Sequence, residues 1–576
     1  MQPIPEVVMK RRVFTGAFPC VSFLLAILPT AAGATTFYVD PQNGSPAGDG
    51  SRSNPWKTLQ QVIEDGLIEG KQCQSLPWTA DCTMVVKNPG APIKAGDTIR
   101  LLDGYHGEIT LQDAYMDEPV TVEAEPGHTP RIKNLRCLGA GNWIFRGLSI
   151  SPSHVDPYSP VSTLVMLENH NFRGPCRQVT VENCTIYSVW DTSGWSADDW
   201  NQLACSGIQV QGPDCQVINN YLRNVDFGIS VSGPRARVVG NTVENFSGDG
   251  LRGIGDFGLF ERNLVMNCYD VNANHDDGFQ SWSTGPGGVG TGEVHGVVLR
   301  ANTIINYTDP NQPHRGTLQG IGCFDGFYVD WVVENNVIIT DHWHGITFLG
   351  ARNVRVVNNT VVDINEVKPG PTWIRIGPHK DGTPSEGCLV RNNITMSLQV
   401  DNTVTEDHNL VIDFDWARSY FVDYAGYDLH LTADSPAIDA GSSLEAPPED
   451  HDGVPRPQGA AVDMGAYEWT ENPPSDGGTP DGGATDGDAL DGGGTGDEGA
   501  DAGSPDGGQV DDAGHDGGTP GDEPQADAGA DGGGQQGGED TPVKGSGCGC
   551  AHQRSSGCAL ALLVLAGLLT RRRSSG

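Results

Sequence analysis

Short runs of alternating apolar and polar residues recur between positions 206 and 377. Alternation of this kind predicts β-strands that bury one face. The apolar residue that follows a glycine (a tryptophan in the last run) marks each run: Ile208, Ile229, Leu251, Phe279, Ile321, Ile346 and Ile374. The steps between these markers are 21, 22, 28, 42, 25 and 28 residues. A short repeat of this type predicts coils that stack, because one coil cannot bury its apolar face alone.

A second series of strands interleaves with the first and carries a column of asparagines. The column is Asn220, Asn241, Asn263, Asn302, Asn336, Asn359 and Asn393. Asparagine tolerates the left-handed backbone of a sharp bend, and stacked copies can hydrogen-bond between coils. The pattern predicts two strands per coil of roughly 22 residues, with asparagine at the corner. No long helical period separates the strands, which excludes a doubly wound α/β fold, and the scarcity of Asn-Gly turns disfavours an antiparallel sandwich.

The N-terminus predicts export. Lys10, Arg11 and Arg12 precede an apolar run at residues 18–28, and Ala32-Gly33-Ala34 offers a cleavage site, so residues 1–34 read as a signal peptide rather than a buried helix. In an oxidising compartment some of the ten cysteines between Cys73 and Cys388 should pair. Cys73 and Cys82 flank one excursion and are the best candidates. The cysteine spacing does not suggest zinc.

The C-terminal region differs sharply in composition. Residues 471–546 are mostly Gly, Asp, Ala and Pro, which predicts a disordered acidic linker, and the apolar positions of calcium-binding repeats are missing. The chain carries 74 acidic against 35 basic residues, a formal charge of −39, with much of the excess in this tail. Such a balance argues against nucleic acid as a partner.

Residues 35–400 resemble the right-handed parallel β-helix (pectin lyase-like) superfamily, which holds pectate lyases, polygalacturonases and alginate-active enzymes. The resemblance rests on the repeats and on the opening segment at residues 37–40 and 54–59. It implies an all-β solenoid, and we expect a monomer that acts on extracellular polysaccharide. Residues 401–470 resemble the closing module of anchored bacterial surface β-helices, which is expected to cover the open end of the solenoid.

Residues 547–576 resemble a myxobacterial C-terminal sorting signal. Cys548 and Cys550 precede a short hydrophobic segment and the cluster Arg571-Arg572-Arg573. The resemblance implies that the two cysteines are the processing and attachment point for an anchoring machinery, with the linker as a stalk. A simple membrane anchor is the alternative. Either way, we expect the solenoid to be displayed on the outer cell surface.

Candidate chemistry lies on the outward face of the first strand series. In each run the residue after the marker should point outward, which gives Gln209, Ser230, Arg252, Gln280, Gly322, Thr347 and Arg375. Two residues further on, Trp282 and Phe324 are outward aromatic side chains that suit stacking on sugar rings. Long insertions beside this face, including the loop at residues 282–296, should form the walls of a cleft.

The same face should gather several titratable side chains. Their order resembles that of the polygalacturonases, which implies that Asp249, Asp276 and Asp277 form the acid/base set with His344 and Arg375 as supports. An extra coil before His344 and the absence of the lysine usual after Arg375 depart from that pattern. The expected substrate-binding residues are Arg252, His275, Gln280, Trp282, Phe324 and Lys380.

Two other interpretations use these residues differently. A lyase would use Arg252, Arg375 or Lys380 as base or clamp and hold Ca²⁺ on Asp249, Asp276 and Asp277. A non-catalytic adhesin would only bind glycans, and an Asp-Gly pair at a corner is also ordinary turn chemistry. The sequence leaves lyase, hydrolase and adhesin open.

Overall fold

The computed structural model describes residues 33–471, and most of that region consists of short strands in parallel ladders. Each complete coil has three strands, not the two that the repeat predicts. The asparagine corner turns the chain sharply, so the run that reads as one second strand is divided between two sheets. Val217 pairs in one sheet and Leu222 in the other. The chain is therefore a parallel β-helix with three faces.

The first-series strands carry the markers. They are the first parts of Ile109–Ala124 and Leu135–Arg146, then Thr163–His170, Ser206–Val210, Ile229–Val231, Leu251–Gly253, Asp277–Trp282, Gln319–Asp325, His344–Leu349, Trp373–Gly377 and Ser397–Val400. The seven markers lie in register on consecutive coils, and all are buried in one core. The predicted repeat is confirmed.

The other two series complete each coil. The second series is Thr36–Val39, Thr98–Leu101, the last parts of Ile109–Ala124 and Leu135–Arg146, then Arg177–Glu182, Gln216–Ile218, Arg237–Val239, Leu259–Glu261, Val298–Arg300, Val332–Glu334, Arg355–Val357, Leu389–Arg391 and Thr405–Asp407. The third series, a 12-stranded sheet, is Gly104–Tyr105, Pro130–Ile132, Ser149–Ile150, Thr185–Tyr187, Tyr221–Val225, Thr242–Phe246, Leu264–Cys268, Thr303–Ile305, Val337–Thr340, Thr360–Asp363, Ile394–Thr395 and Leu410–Val411. The last coil ends at Val411, beyond the predicted boundary at 400.

The asparagine column forms a continuous ladder between the second and third series. Each side-chain amide donates to the carbonyl oxygen of the next, at 2.9–3.0 Å from Asn220 to Asn393 and on to Asn409. The left-handed residue is the one before each ladder asparagine, for example Asn219 (φ 53°) and Ala301 (φ 51°). The predicted hydrogen bonding is confirmed, whereas the predicted left-handed position was one residue too late.

The remaining elements are excursions from the coils. The helices are Leu59–Glu64, Ala197–Leu203 and Phe414–Tyr420, with a 3₁₀ turn at Pro152–His154. The short strands are Gly70–Cys73 with Met84–Lys87, Gly174–Pro175, Thr284–Gly285 with Gly288–Val289, the parallel set Glu293–His295, Phe327–Val329 and Ala351–Arg352, and Phe421–Asp423 with Asp428–Leu431. The predicted Cys73–Cys82 disulfide is present, and the other eight cysteines of this region are buried thiols. None of the helices in the described region is long and apolar enough to cross a membrane.

The closing module lies along the flank of the solenoid, not just across its end. Ala437, Leu429 and Ala466 pack against apolar side chains of the third series such as Val337 and Val362. Polar contacts reach as far back as Arg262, which donates to the carbonyl oxygen of His451 at 2.9 Å. Third-series strands with consecutive apolar residues are apolar on both faces, and the module covers the outer one.

The predicted signal peptide falls almost entirely in residues 1–32, and the linker, Cys548 and Cys550 fall in residues 472–576. These segments lie outside the described residues. The expectations for them stay predictions.

Candidate active site

The outward column of the first series forms the floor of the site. Gln209, Ser230, Arg252, Gln280, Gly322, Thr347, Arg375 and Gln399 pair in register on successive coils. Neighbouring strands in a sheet lie about 4.8 Å apart. Except at Gly322, the floor therefore places one side chain per coil in a straight row, as the alternation predicts.

Trp282 and Phe324, the two predicted aromatic platforms, do not lie next to each other on paired positions. The register between two floor strands shifts at Ser281 and Trp282, so Trp282 pairs with Asp325 and Phe324 becomes the extra residue of a bulge. Both rings are half-buried. Trp282 lies beside the Arg252 guanidinium, 5.4 Å from its carbon, whereas Phe324 meets the His344 ring edge to face at 4.8 Å.

The three predicted acids come together, but below the surface. Asp277 is fully buried, Asp249 is 1% exposed and Asp276 is 5% exposed. Asp249 accepts from the backbone N–H of Asp277 at 3.1 Å and from the Arg252 guanidinium. Asp277 accepts from the Gln280 amide at 2.9 Å. The floor side chains therefore hold the carboxyls.

Burial changes the charge state of these acids. Burial raises the pKa of Asp277 well above its usual range, and the nearby charge of Asp249 adds to the effect. Burial raises the pKa of Asp276 to about 8. It raises the pKa of Asp226 to about 6, and Asp226, which the sequence did not single out, feels the charges of Arg252 and Asp249. At neutral pH the cluster therefore holds at least one proton.

Histidines form a second group beside the acids. His344 hydrogen-bonds the Thr347 hydroxyl through Nδ1 at 2.9 Å, and the His342 ring stacks on it at 5.1 Å. Burial lowers the pKa of His344 and of His342 to about 4, so both imidazoles are neutral at pH 7. His275 is exposed and lies beside Gln319, whose amide nitrogen is 3.4 Å from its Nδ1.

Two tryptophans that the sequence did not flag as candidates lie next to His344. The rings of Trp343 and Trp373 are 6.1 Å apart and within 14° of parallel, and Trp343 is 42% exposed. The Arg375 guanidinium lies 5.7 Å from the Trp373 ring and donates to Gln399 at 2.9 Å. The signal available in the sequence was a tryptophan at the start of two successive floor strands: Trp343 directly precedes His344–Leu349, and Trp373 is the first residue of Trp373–Gly377.

Lys380 is less central than predicted. Its ammonium group forms an ion pair with Asp325 at 2.6 Å, on the turn after the floor strands. The side chain is half exposed. Lys380 therefore lies at the margin of the floor. The loop at residues 282–296 also leaves the floor at this margin.

Three insertions at the opposite margin hold one another. They are residues 188–205, 269–276 and 306–318. Trp200 stacks on Tyr269 at 4.6 Å, and the Asn201 amide donates to the carbonyl oxygen of Val271 at 3.0 Å. These contacts make a wall beside the acids, as the long steps in the repeat suggest.

The acids do not fit a calcium site in this arrangement. Both Asp249 oxygens already accept N–H groups, and the Asp276 oxygens face Asn274 and Cys268. Within residues 33–471, no three His, Cys, Asp or Glu side chains are grouped as metal ligands. Calcium needs six or more oxygens around one point.

Comparison with known proteins agrees on the architecture. The sequence profile of the right-handed beta helix region matches residues 206–371. The chain is a right-handed parallel β-helix. Among curated proteins, no sequence matches significantly.

Solved structures similar to this β-helix include several carbohydrate-active proteins. They include pectate lyase Pel9A (14% identity, 76% of this chain and 97% of that chain, TM-score 0.39). Another is the complex of XylC with xylose (10% identity, 75% and 98%, TM-score 0.41). A third is a rhamnogalacturonan lyase (12% identity, 66% and 86%, TM-score 0.34).

Proposed function

We propose that the floor of the β-helix binds an extracellular, uronate-containing polysaccharide and cleaves it. The observation that carries this proposal is the layering of charge. Asp249 and Asp277 are sealed beneath the floor, whereas the guanidinium groups of Arg252 and Arg375 lie in the outward column. An anionic polymer approaching the floor therefore meets cations before carboxyls, which favours its association.

Elimination is the reaction that uses these groups most directly. Arg252 or Arg375 would neutralise the uronate carboxylate, which acidifies the neighbouring C5–H bond. Neutral His344 would accept the C5 proton, the C5–H electrons would form the C4–C5 double bond, and the C4–O4 bond would break. O4 would take a proton from the buried carboxyl cluster. In hydrolysis a water molecule would attack the anomeric carbon and give its proton to His344, while the C1–O4 bond breaks and O4 takes a proton from the same carboxyl cluster.

Stacking supports the proposed sugar binding. The exposed face of Trp343 is apolar and flat, and the nearly parallel Trp373 extends it toward Arg375. Aromatic rings of this kind match the apolar face of a pyranose. The tryptophans would hold sugar units next to the unit that is cleaved.

A non-catalytic adhesin is the second candidate. It is favoured by the absence of exposed surface on Asp277, since a reacting group must touch its substrate. An adhesin would need only the arginines and tryptophans of the floor.

The test uses the purified full-length protein and a panel of acidic and neutral polysaccharides. Ultraviolet absorbance of unsaturated uronate and new reducing ends are followed together, with binding measured in parallel. Both signals rising supports elimination, and reducing ends alone support hydrolysis. Binding of a polysaccharide without either signal supports the non-catalytic adhesin. Arg375→Gln should weaken binding to acidic polymers, whereas Arg355→Gln, which removes a second-series arginine paired with Glu445, should not.

We further propose that the protein is exported and tethered to the outer surface as a monomer, with Cys548 and Cys550 as the attachment point for the sorting machinery. The basis is the sequence of the two termini. Protease treatment of intact cells should release the solenoid. A double variant with Cys548→Ser and Cys550→Ser should no longer be found in the outer-surface fraction of the cells. Retention of this variant at the surface would contradict the proposal.

A further inference from the structure

Gly322 is the one position of the floor column without a side chain. A Cβ atom at this position would lie 2.2 Å from Oδ1 of Asp277 and 2.6 Å from the Phe324 ring. Both distances are far shorter than van der Waals contact. The Asp277 carboxyl therefore occupies the space that a side chain at position 322 would take.

The two oxygens of Asp277 differ in their partners. Oδ2 accepts a hydrogen bond from Gln280. Oδ1 is buried and has no hydrogen-bond partner within residues 33–471. A buried polar atom left unpaired is destabilising, so this one calls for an explanation.

The hydrogen bonds of Asp249 and Asp277 indicate which carboxyl oxygen holds the proton. Burial raises the pKa of Asp249, but the Arg252 guanidinium and the backbone N–H of Asp277, which donate to its two oxygens, oppose this and favour its carboxylate form. Burial beside that charge raises the pKa of Asp277. Because Oδ2 of Asp277 is already an acceptor, the proton belongs on Oδ1, where it has no acceptor.

Phe324 closes the space above this proton. It is the extra residue of the bulge, two positions after Gly322 on the same face of the strand, and its ring lies against Gly322. The ring is otherwise held by its edge-to-face contact with His344. It is half-buried, so part of the ring is exposed.

We propose that Gly322 positions the Asp277 carboxyl at the floor and that Phe324 is a cover that a bound sugar displaces, which lets Asp277 Oδ1 donate its proton to the glycosidic oxygen. The proton leaves Oδ1 as the C–O bond breaks, and the resulting carboxylate regains a proton from water after product release. This inference rests on the proposed cleavage of polysaccharide. It adds that Gly322 is a positioning residue and Phe324 an access residue.

The kinetic test compares two glycines. Gly322→Ala should displace the carboxyl and lower kcat by about 100-fold, within the range for loss of a proton donor, while KM changes little. Gly377→Ala is the matched control, because a Cβ there has no neighbour closer than 3.4 Å. Phe324→Ala should move the alkaline limb of the pH profile to lower pH, since water then reaches Asp277, and Phe324→Leu should move it less.

A second readout needs no substrate. The infrared carbonyl band of a protonated carboxylic acid is followed against pH, with Asp277→Asn identifying the Asp277 component. This band should persist at neutral pH in the unmodified protein and in Gly377→Ala. It should be lost at neutral pH in Gly322→Ala, and it should titrate at lower pH in Phe324→Ala.

The outcomes separate the two proposals. If no polysaccharide is cleaved but the band behaves as described, the proposed function fails and the roles of Gly322 and Phe324 in holding the proton stand. If the unmodified protein cleaves and Gly322→Ala retains its kcat, pH profile and carbonyl band, the inference about Gly322 is overturned. A band that titrates identically in Phe324→Ala overturns the role of Phe324.

Discussion

Arg456 and Glu468 form an ion pair at 2.6 Å in which the side chains are only 1% and 0% exposed. The guanidinium also donates to the carbonyl oxygens of Gly465 and Ala466 and to the side chain of Asn335, which lies at a solenoid corner. One arginine therefore holds the closing module together and fastens it to the coils.

Arg456→Met should be strongly destabilising. The substitution leaves the Glu468 charge buried without its cation, at a cost of about 3–5 kcal/mol. Chemical denaturation measures the loss. Arg355→Met is the control, because its partner Glu445 is exposed and such a pair contributes about 0–1 kcal/mol. Similar losses in the two variants would show that Arg456 is not the fastening point.

The interior of the asparagine ladder should be more sensitive than its end. Asn302 accepts from both nitrogens of Asn263 and donates to Asn336 and to the carbonyl oxygen of Phe260. Asn302→Ala leaves several of these buried groups unpaired, each at about 1–3 kcal/mol. Asn409→Ala, at the partly exposed end, should cost less. The comparison uses unfolding midpoints, and equal costs would contradict the ladder's role.

The closing module should lose stability in alkali. Burial disfavours the charged His430 imidazole, but hydrogen bonds to Asp452 and Asp428 outweigh burial and raise the pKa of His430 to about 9. This contribution is complete below the unfolded pKa of about 6.5 and is lost as pH rises through about 9. Melting temperatures from pH 6 to 10 should fall more in the unmodified protein than in His430→Gln. Parallel curves would exclude the effect.

Trp343 should contribute to glycan binding. Trp343→Ala removes the exposed part of the tryptophan pair, and loss of one aromatic stacking contact of about 0.5–1.5 kcal/mol corresponds to a two- to tenfold weaker affinity. Phe257→Ala, which removes another exposed aromatic ring at a turn outside the floor, should leave affinity unchanged. Affinity electrophoresis in gels containing the polysaccharide measures both. An unchanged Trp343→Ala would remove the platform from the proposal.

Much of the coil was predictable because the interactions that form it depend on short sequence patterns that recur in every coil. Apolar alternation located the floor strands, and the spacing of asparagines located the ladder that stabilises the corner. The third strand of each coil was missed because two short strands joined by a two-residue bend look like one run in a sequence. The flank position of the closing module depends on the outer faces of distant strands such as Val337–Thr340, which no local pattern reveals.

The sequence predicted which residues form the candidate site but not how deeply they are buried. Asp249 and Asp277 each directly precede the glycine that comes before a marker residue, so the repeat predicted that they lie close together on neighbouring coils. Their burial follows from side chains that fold over them, namely Arg252, Gln280 and Phe324. The bulge at Phe324 depends on the register between two coils whose paired residues are 42 positions apart. Trp343 was overlooked because it lies in a corner rather than in the outward column.

The ladder of asparagines also gives the solenoid an electrical direction. Every side-chain amide from Asn220 onward donates one N–H to the amide oxygen of the next asparagine toward the C-terminal end, so these hydrogen bonds all run in one direction along the axis, as those of a helix do. At the negative end, Asn220 accepts the backbone N–H of Cys184, and at the positive end Asn409 donates to the carboxylate of Glu406 at 3.3 Å. The two ends of the ladder therefore carry partial charges of opposite sign, which gives the solenoid an electrical polarity along its axis.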